Sequence, residues 1–74
     1  MEELTLRRYV YMEVMSVDLT KVSDRDGTHY EVTVNTLDDN QEEDKLVYEF
    51  KSLILQDVIE VFNTKVSLMS GLVS

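Results

Sequence analysis

Apolar and polar residues alternate regularly in the middle of the chain. Between residues 28 and 36 the even positions include Tyr30, Val32 and Val34, and the odd positions are polar. Residues 45 to 51 repeat the pattern, with Leu46, Tyr48 and Phe50 at the even positions. A period of two among β-branched and aromatic residues is typical of strands with one buried face. The pattern predicts strands over about 28–36 and 45–51, with these even positions facing inward.

The N-terminal third is also rich in strand-forming residues, but the phase of its apolar positions changes. They are even up to Val14 and odd from Met15 to Leu19. A bulge or bend near these two residues would return both sets to one face. We expect a bent strand over about 4–22, with residues 1–14 either extending it or adding a short fourth strand. A helix over residues 2–14 is the alternative.

The dipeptide Asp26-Gly27 favours a tight turn between the first two strands. A two-residue loop at this position would place Leu19 opposite Val34, on the apolar face. The same segment resembles part of a calcium loop, because oxygen-bearing side chains alternate before a glycine. With Gly27 as the sixth loop residue, however, the first would be Val22 and the twelfth Thr33, where a calcium loop has carboxylates. We expect a turn without metal.

From Ser52 onward the apolar period becomes helical. We expect a helix over about 53–70, with Ser52 as its N-cap and Gly71 as its C-terminal stop. The predicted fold is a small two-layer α+β domain, in which a three- or four-stranded antiparallel meander is followed by this helix on one face. The apolar arc, about half of the helix circumference, comprises Leu55, Ile59, Phe62, Val66, Met69 and Val73, flanked by Ile54, Val58, Val61 and Leu72.

The composition predicts a single domain over residues 1–74. With 43% hydrophobic and 30% charged residues the chain is of globular type. A domain of this size buries only about 60% of its unfolded surface, so assembly with another chain is a realistic expectation. The absence of cysteine excludes disulfides and thiolate metal sites. We expect a cytoplasmic protein without metal or other cofactor.

Few residues suited to catalysis are present. His29 is the only histidine, and the alternation places it on the outer face of a strand. No nucleophile elbow, zinc-protease motif, glycine-rich phosphate loop or dinucleotide fingerprint occurs. Only carboxylates are left, and a short chain has little mass with which to build a cleft around them. We expect no enzymatic activity and no catalytic residue.

Acidic residues dominate the charged groups. The net charge of −8 disfavours direct binding to nucleic acid or to a membrane, and favours a basic protein surface as the partner. The acids are densest in the predicted loop 37–45. An acidic loop is also an ordinary solvated turn, and calcium binding there is a third interpretation. The acidic residues predicted to contact a partner are Asp38, Asp39, Glu42, Glu43 and Asp44, continued by Glu31 and Glu49 on the outer sheet face.

A second candidate surface is apolar. The helix arc is wider than a three-stranded sheet needs, and Tyr9 and Tyr11 lie beside Arg7 and Arg8 in a pattern common at protein interfaces. The alternative is that the N-terminal segment folds back over the arc. The residues predicted to serve a partner or a second copy of the chain are Tyr9, Tyr11, Ile54, Val61, Leu68 and Leu72.

Together these features predict a protein-binding inhibitor or regulator. Its acidic surface would occupy the basic nucleic-acid-binding groove of a partner from host-defence or transcription machinery, in the manner of small phage or mobile-element proteins. The alternative is a structural subunit that forms a homodimer or larger homo-oligomer through the apolar helix arc or an edge strand.

Overall fold

The structure, a computed structural model, describes residues 1–71 and contains four strands followed by one helix. The strands are β1 (Glu2–Tyr11), β2 (Met15–Asp24), β3 (Gly27–Leu37) and β4 (Glu43–Ser52), and the helix is α1 (Leu55–Gly71). The strands form one antiparallel sheet in the order β1-β2-β3-β4, so each strand pairs with its neighbour in the sequence. This architecture confirms the predicted α+β meander and its four-stranded form.

The phase change near residue 14 is a hairpin turn rather than a bend within one strand. Met12 and Glu13 have positive φ values of 49° and 61°, and the Val14 N–H donates to the Tyr11 carbonyl at 3.0 Å. Two consecutive residues of this kind form a turn whose twist matches that of the flanking strands. The expected single strand over 4–22 is therefore two strands, β1 and β2, and the alternative of a helix over 2–14 is wrong.

The turn between β2 and β3 lies one residue earlier than predicted. Asp24 pairs with Gly27, which leaves Arg25 and Asp26 as the two turn residues. The Asp24 side chain accepts the Asp26 N–H at 2.9 Å and stabilises this geometry. Leu19 consequently lies opposite Val32 instead of Val34. The shift is two residues, so each side chain stays on the face that the alternation predicted.

Strand β4 is longer and less regular than expected. It begins at Glu43, which shortens the acidic loop to residues 38–42. The pairing with β3 shifts between Val34 and Asn35, so that Tyr48 pairs with Val34 but Leu46 pairs with Asn35. Leu46 is therefore 51% exposed, and the prediction that it faces inward is wrong. A bulge adds one residue to a strand and breaks the period of two that the prediction assumed.

Helix α1 covers one face of the sheet and forms the core with it. The core cluster consists of Val17, Leu19, Val32 and Val34 of the central strands with Val58 and Phe62 of α1. Tyr9, Tyr30, Tyr48 and Phe50 pack around them. Central β-branched residues against one stripe of an amphipathic helix give a two-layer domain.

The start of α1 corrects the predicted cap. The Ile54 carbonyl accepts N–H bonds from Asp57 at 3.2 Å and Val58 at 3.4 Å, so Ile54 is the residue at which the helical bonds begin. The Ser52 hydroxyl accepts the Ile54 N–H at 3.1 Å. Ser52 therefore orders the connection from β4 instead of capping the first turn. Among residues 1–71, no helix has the length and hydropathy to cross a bilayer.

Candidate binding face of the sheet

The second face of the sheet, called the open face below, is not covered by α1. Cross-strand partners lie on the same face, so the register defines its rows. One row runs Arg8, Asp18, Thr33 and Glu49 across the four strands. The side chains of the open face are Glu3, Thr5, Arg8, Val10, Ser16, Asp18, Thr20, Val22, His29, Glu31, Thr33, Asn35, Leu46, Glu49 and Lys51.

Several side chains on the open face are buried although no helix covers them. Ser16, Asp18 and Asn35 are respectively 0%, 5% and 8% exposed. Arg8 of β1 lies 3.9 Å from Glu43 of β4 although two strands separate them, which indicates that the sheet curves around this face and shelters its middle. Glu3, Thr5 and Arg8 of β1, Thr20 and Asp18 of β2, Glu31 and Thr33 of β3 and Glu43 of β4 enclose a pocket of about 250 Å³. This cavity is called the open-face pocket.

Asp18 lies at the centre of the pocket. Its Oδ2 accepts a hydrogen bond from the Ser16 hydroxyl at 3.3 Å, whereas its buried Oδ1 has no hydrogen-bond partner among the described residues. The nearest cation is Arg8, whose Nη1 lies 3.6 Å from Oδ1 and 3.9 Å from Glu43 Oε1. Both distances exceed those of a hydrogen bond. Burial raises the pKa of Asp18, Arg8 opposes that change, and Glu43 adds to it.

A second group of charges lies toward β4. The side chain of Glu31 is only 17% exposed. Its Oε1 lies 3.0 Å from His29 Nε2 and 3.5 Å from Lys51 Nζ. The same Lys51 lies 3.4 Å from Glu49, and the hydrogen bond to Glu49 is the main cause of its raised pKa. Lys51 thus partly neutralises Glu31 and Glu49, the two acids predicted to continue the acidic surface.

The acidic loop divides into structural and free carboxylates. Asp38 Oδ1 accepts the N–H groups of Asn40 at 2.8 Å and Glu42 at 3.0 Å, which holds the turn in shape. Glu43 lies in β4 and faces Arg8. The side chains of Asp39 and Glu42 in the loop and of Asp44 in β4 are exposed and make no hydrogen bond or ion pair with residues 1–71. These three acids of the predicted set are therefore available to a partner.

The predicted apolar contacts are scattered. Tyr9 packs against the core, and its hydroxyl lies 3.2 Å from Ser70 Oγ of α1. Val61 also packs against the core. Ile54 and Leu68 are 58% and 60% exposed. Tyr11 is half-buried, and Leu72 lies outside the described residues.

A groove of about 440 Å³ lies between α1 and β4, and no pattern in the sequence predicted it. Tyr48, Phe50 and Val61 supply its apolar wall, and Asp57 and Glu60 lie at its acidic rim. The ammonium group of Lys65 lies 3.9 Å from the centre of the Tyr48 ring. Lys65 also lines the groove, so this cation–π contact lies within it.

Sequence reasoning also missed the open-face pocket. Asp18 stands between Val17 and Leu19, at a polar position of the alternation that carries no sign of burial. Only the curvature of the sheet reveals that it is buried. Within residues 1–71, no three His, Cys, Asp or Glu side chains are grouped closely enough to hold a metal ion. No protein-family model, curated protein or solved structure matches this chain.

Proposed function

We propose that this domain binds a basic surface of another protein through its open face and the adjoining acidic loop. The uneven distribution of charge carries the proposal. Two basic side chains, Arg8 and Lys51, face six carboxylates on or beside the open face: Glu3, Asp18, Asp24, Glu31, Glu43 and Glu49. The loop adds Asp38, Asp39 and Glu42. Helix α1, on the opposite side, carries two carboxylates and one lysine.

The chemistry of this surface suits a partner that normally binds nucleic acid. Carboxylates on a concave sheet and on a projecting loop present negative charge at several points, as phosphates do along a strand. Long-range attraction would bring the two proteins together, and short-range contacts would fix their register. Occupation of such a groove would inhibit or regulate the partner, without a catalytic step by this chain.

Affinity capture with the purified domain at low salt tests the proposal. We expect captured proteins to be basic, to elute as salt is raised, and to be displaced by duplex DNA or RNA, because the competing charges are screened or replaced. The triple variant Asp39→Asn, Glu42→Gln and Asp44→Asn should capture less. The helix variant Asp57→Asn with Glu60→Gln removes two charges from the opposite side and is the control for charge lost elsewhere on the domain. Equal capture by both variants, or no displacement by nucleic acid, would contradict the proposal.

A homo-oligomer built through α1 is a second candidate, favoured by the exposure of Leu53, Ile54 and Leu68 at 77%, 58% and 60%. The edge strands favour assembly less, because the β1 pairing is interrupted by a bulge between Thr5 and Arg7 and β4 contains two irregularities. Sedimentation velocity distinguishes the candidates. An assembly through apolar contacts should persist or tighten at high salt, whereas a monomer at high micromolar concentration would exclude it.

A further inference from the structure

The open-face pocket has a hydrogen-bonding acceptor without a donor. Asp18 is 5% exposed, and its Oδ1 makes no hydrogen bond with the described residues. A buried carboxylate oxygen in this state is unfavourable until a donor reaches it. Asp18 lines the pocket and Arg8 Nη1 lies 3.6 Å from its buried Oδ1, so a donor that entered from solvent would reach this oxygen by displacing Arg8.

The walls of the pocket select a cation. Glu3, Glu31 and Glu43 line the pocket together with Asp18, and Arg8 is the one basic residue in the lining. The remaining lining residues are threonines, whose hydroxyl oxygens accept further hydrogen bonds. The pocket of about 250 Å³ corresponds to the liquid volume of about eight water molecules, enough for a side-chain head group.

The spacing of the carboxylates favours an extended cation over a metal ion. A metal needs several ligands at one point, and no such group of acidic or histidine side chains exists within residues 1–71. A guanidinium group is planar and carries five N–H donors, so it bonds acceptors that lie apart. Arg8 demonstrates that a guanidinium fits beside Asp18, although it is 42% exposed and lies 3.6 Å away, beyond hydrogen-bond distance.

We infer that the open-face pocket receives an arginine side chain of the partner, whose guanidinium group donates to Asp18 Oδ1 and to the surrounding acceptors. The inference rests on the proposed function and specifies how the basic partner is recognised. Arg8, loosely held at the mouth, competes with the incoming group for Asp18. Two substitutions should consequently have opposite effects, because one removes the acceptor and the other removes the competitor.

The test is a titration of the ¹⁵N-labelled domain with capped single amino acids, followed by amide chemical shifts. We expect Nα-acetyl-arginine amide to shift amides of Asp18, Thr20 and Thr33, and to bind several-fold more tightly than the capped lysine. The uncharged citrulline analogue should not bind. Asp18→Asn should weaken arginine binding at least about tenfold, the equivalent of one charge-assisted hydrogen bond.

Arg8→Gln should strengthen arginine binding several-fold, and it keeps the inference testable if Asp18→Asn perturbs the fold. Glu49→Gln, on the same face but outside the pocket, is the matched control and should change the affinity less than twofold. Equal affinity for lysine and arginine, or weaker binding by Arg8→Gln, would overturn the inference.

Different results contradict the arginine-binding inference and the proposed function. If capped arginine leaves the pocket amides unmoved while the acidic loop still captures basic partners, the inference is wrong and the proposed function stands. If loop-dependent capture is also absent, both are wrong.

Discussion

The two faces of the sheet bury their side chains by different means. On the helix-covered face, Val17, Val32 and Val58 meet apolar neighbours and are 0% exposed. On the open face, Ser16 and Asp18 are almost as inaccessible, but they are sheltered by the curvature of the sheet and remain polar. The first kind of burial stabilises the fold, whereas the second desolvates charge at a free-energy cost. A buried group that does not benefit stability is a candidate for function.

Because apolar side chains are buried on the helix-covered face, we expect the stability of the domain to depend chiefly on that face. Phe62→Ala removes a side chain that is 7% exposed and should lower the free energy of unfolding by about 3–5 kcal/mol. Leu68→Ala, on the same helix at 60% exposure, should change it by less than about 0.5 kcal/mol. Urea denaturation measures both. Equal effects of the two substitutions would show that Phe62 is not buried between α1 and the sheet.

At the centre of the open face we expect a substitution not to lower the free energy of unfolding. Asp18→Asn removes a buried charge with an unsatisfied oxygen, and should leave stability unchanged or raise it by on the order of 1 kcal/mol at neutral pH. Thermal unfolding of the two proteins in parallel measures the difference. A large destabilisation would mean that the pairing with Arg8 stabilises the fold more than the desolvation of Asp18 destabilises it.

The raised pKa of Asp18 also predicts how the stability of the domain depends on pH. Because burial raises the pKa of Asp18 in the folded state, the folded chain binds the Asp18 proton more tightly than the unfolded chain does. Stability should thus fall as pH rises from the unfolded pKa of Asp18 through its raised folded value. Arg8, Glu43 and Ser16 also influence this titration. The variant Asp18→Asn should lack this fall, so the difference between the two melting temperatures should grow over that pH interval.

The hairpin that joins β1 to β2 is a site of backbone strain. Glu13 has a φ of 61°, a left-handed conformation that glycine adopts more readily. Glu13→Gly should stabilise the domain by about 0.5–1 kcal/mol in urea denaturation. Glu49→Gly, at a regular strand position, should destabilise it, because strands disfavour glycine. If Glu13→Gly lowered the stability, residue 13 would not have the positive φ on which this prediction depends.

The acidic loop should affect binding without affecting the fold. Asp39, Glu42 and Asp44 are exposed and their side chains form no contact with residues 1–71 by hydrogen bond or ion pair. Their triple amide variant should unfold within about 0.5 kcal/mol of the parent protein. Asp38→Asn provides the contrast, since Asp38 accepts two backbone N–H groups in the loop. A weaker acceptor there should loosen the loop, seen as faster amide exchange at Asn40 and Glu42.

Local patterns determined much of the fold. The alternation over residues 28–36 predicted that Val32 and Val34 face the core, because successive strand residues point to opposite faces. The helical period predicted the burial of Phe62, and the overall acidity predicted a basic partner, which stays a proposal. The turn at Arg25 and Asp26 was misplaced by one residue, because the side-chain contact that fixes it was not evident from turn propensity.

What only the tertiary structure decided is the environment of groups that meet across the sheet. The bulge in β4 turns Leu46 outward, and the curved sheet brings Arg8 of the first strand and Glu43 of the last toward Asp18. The apolar period of a strand cannot predict this burial, because a polar residue occupies the same position in the pattern whether the sheet is flat or curved. The sequence by itself determined that His29, Glu31, Thr33 and Asn35 face away from the core. Long-range strand pairing and curvature decided that Asp18 would be buried among them.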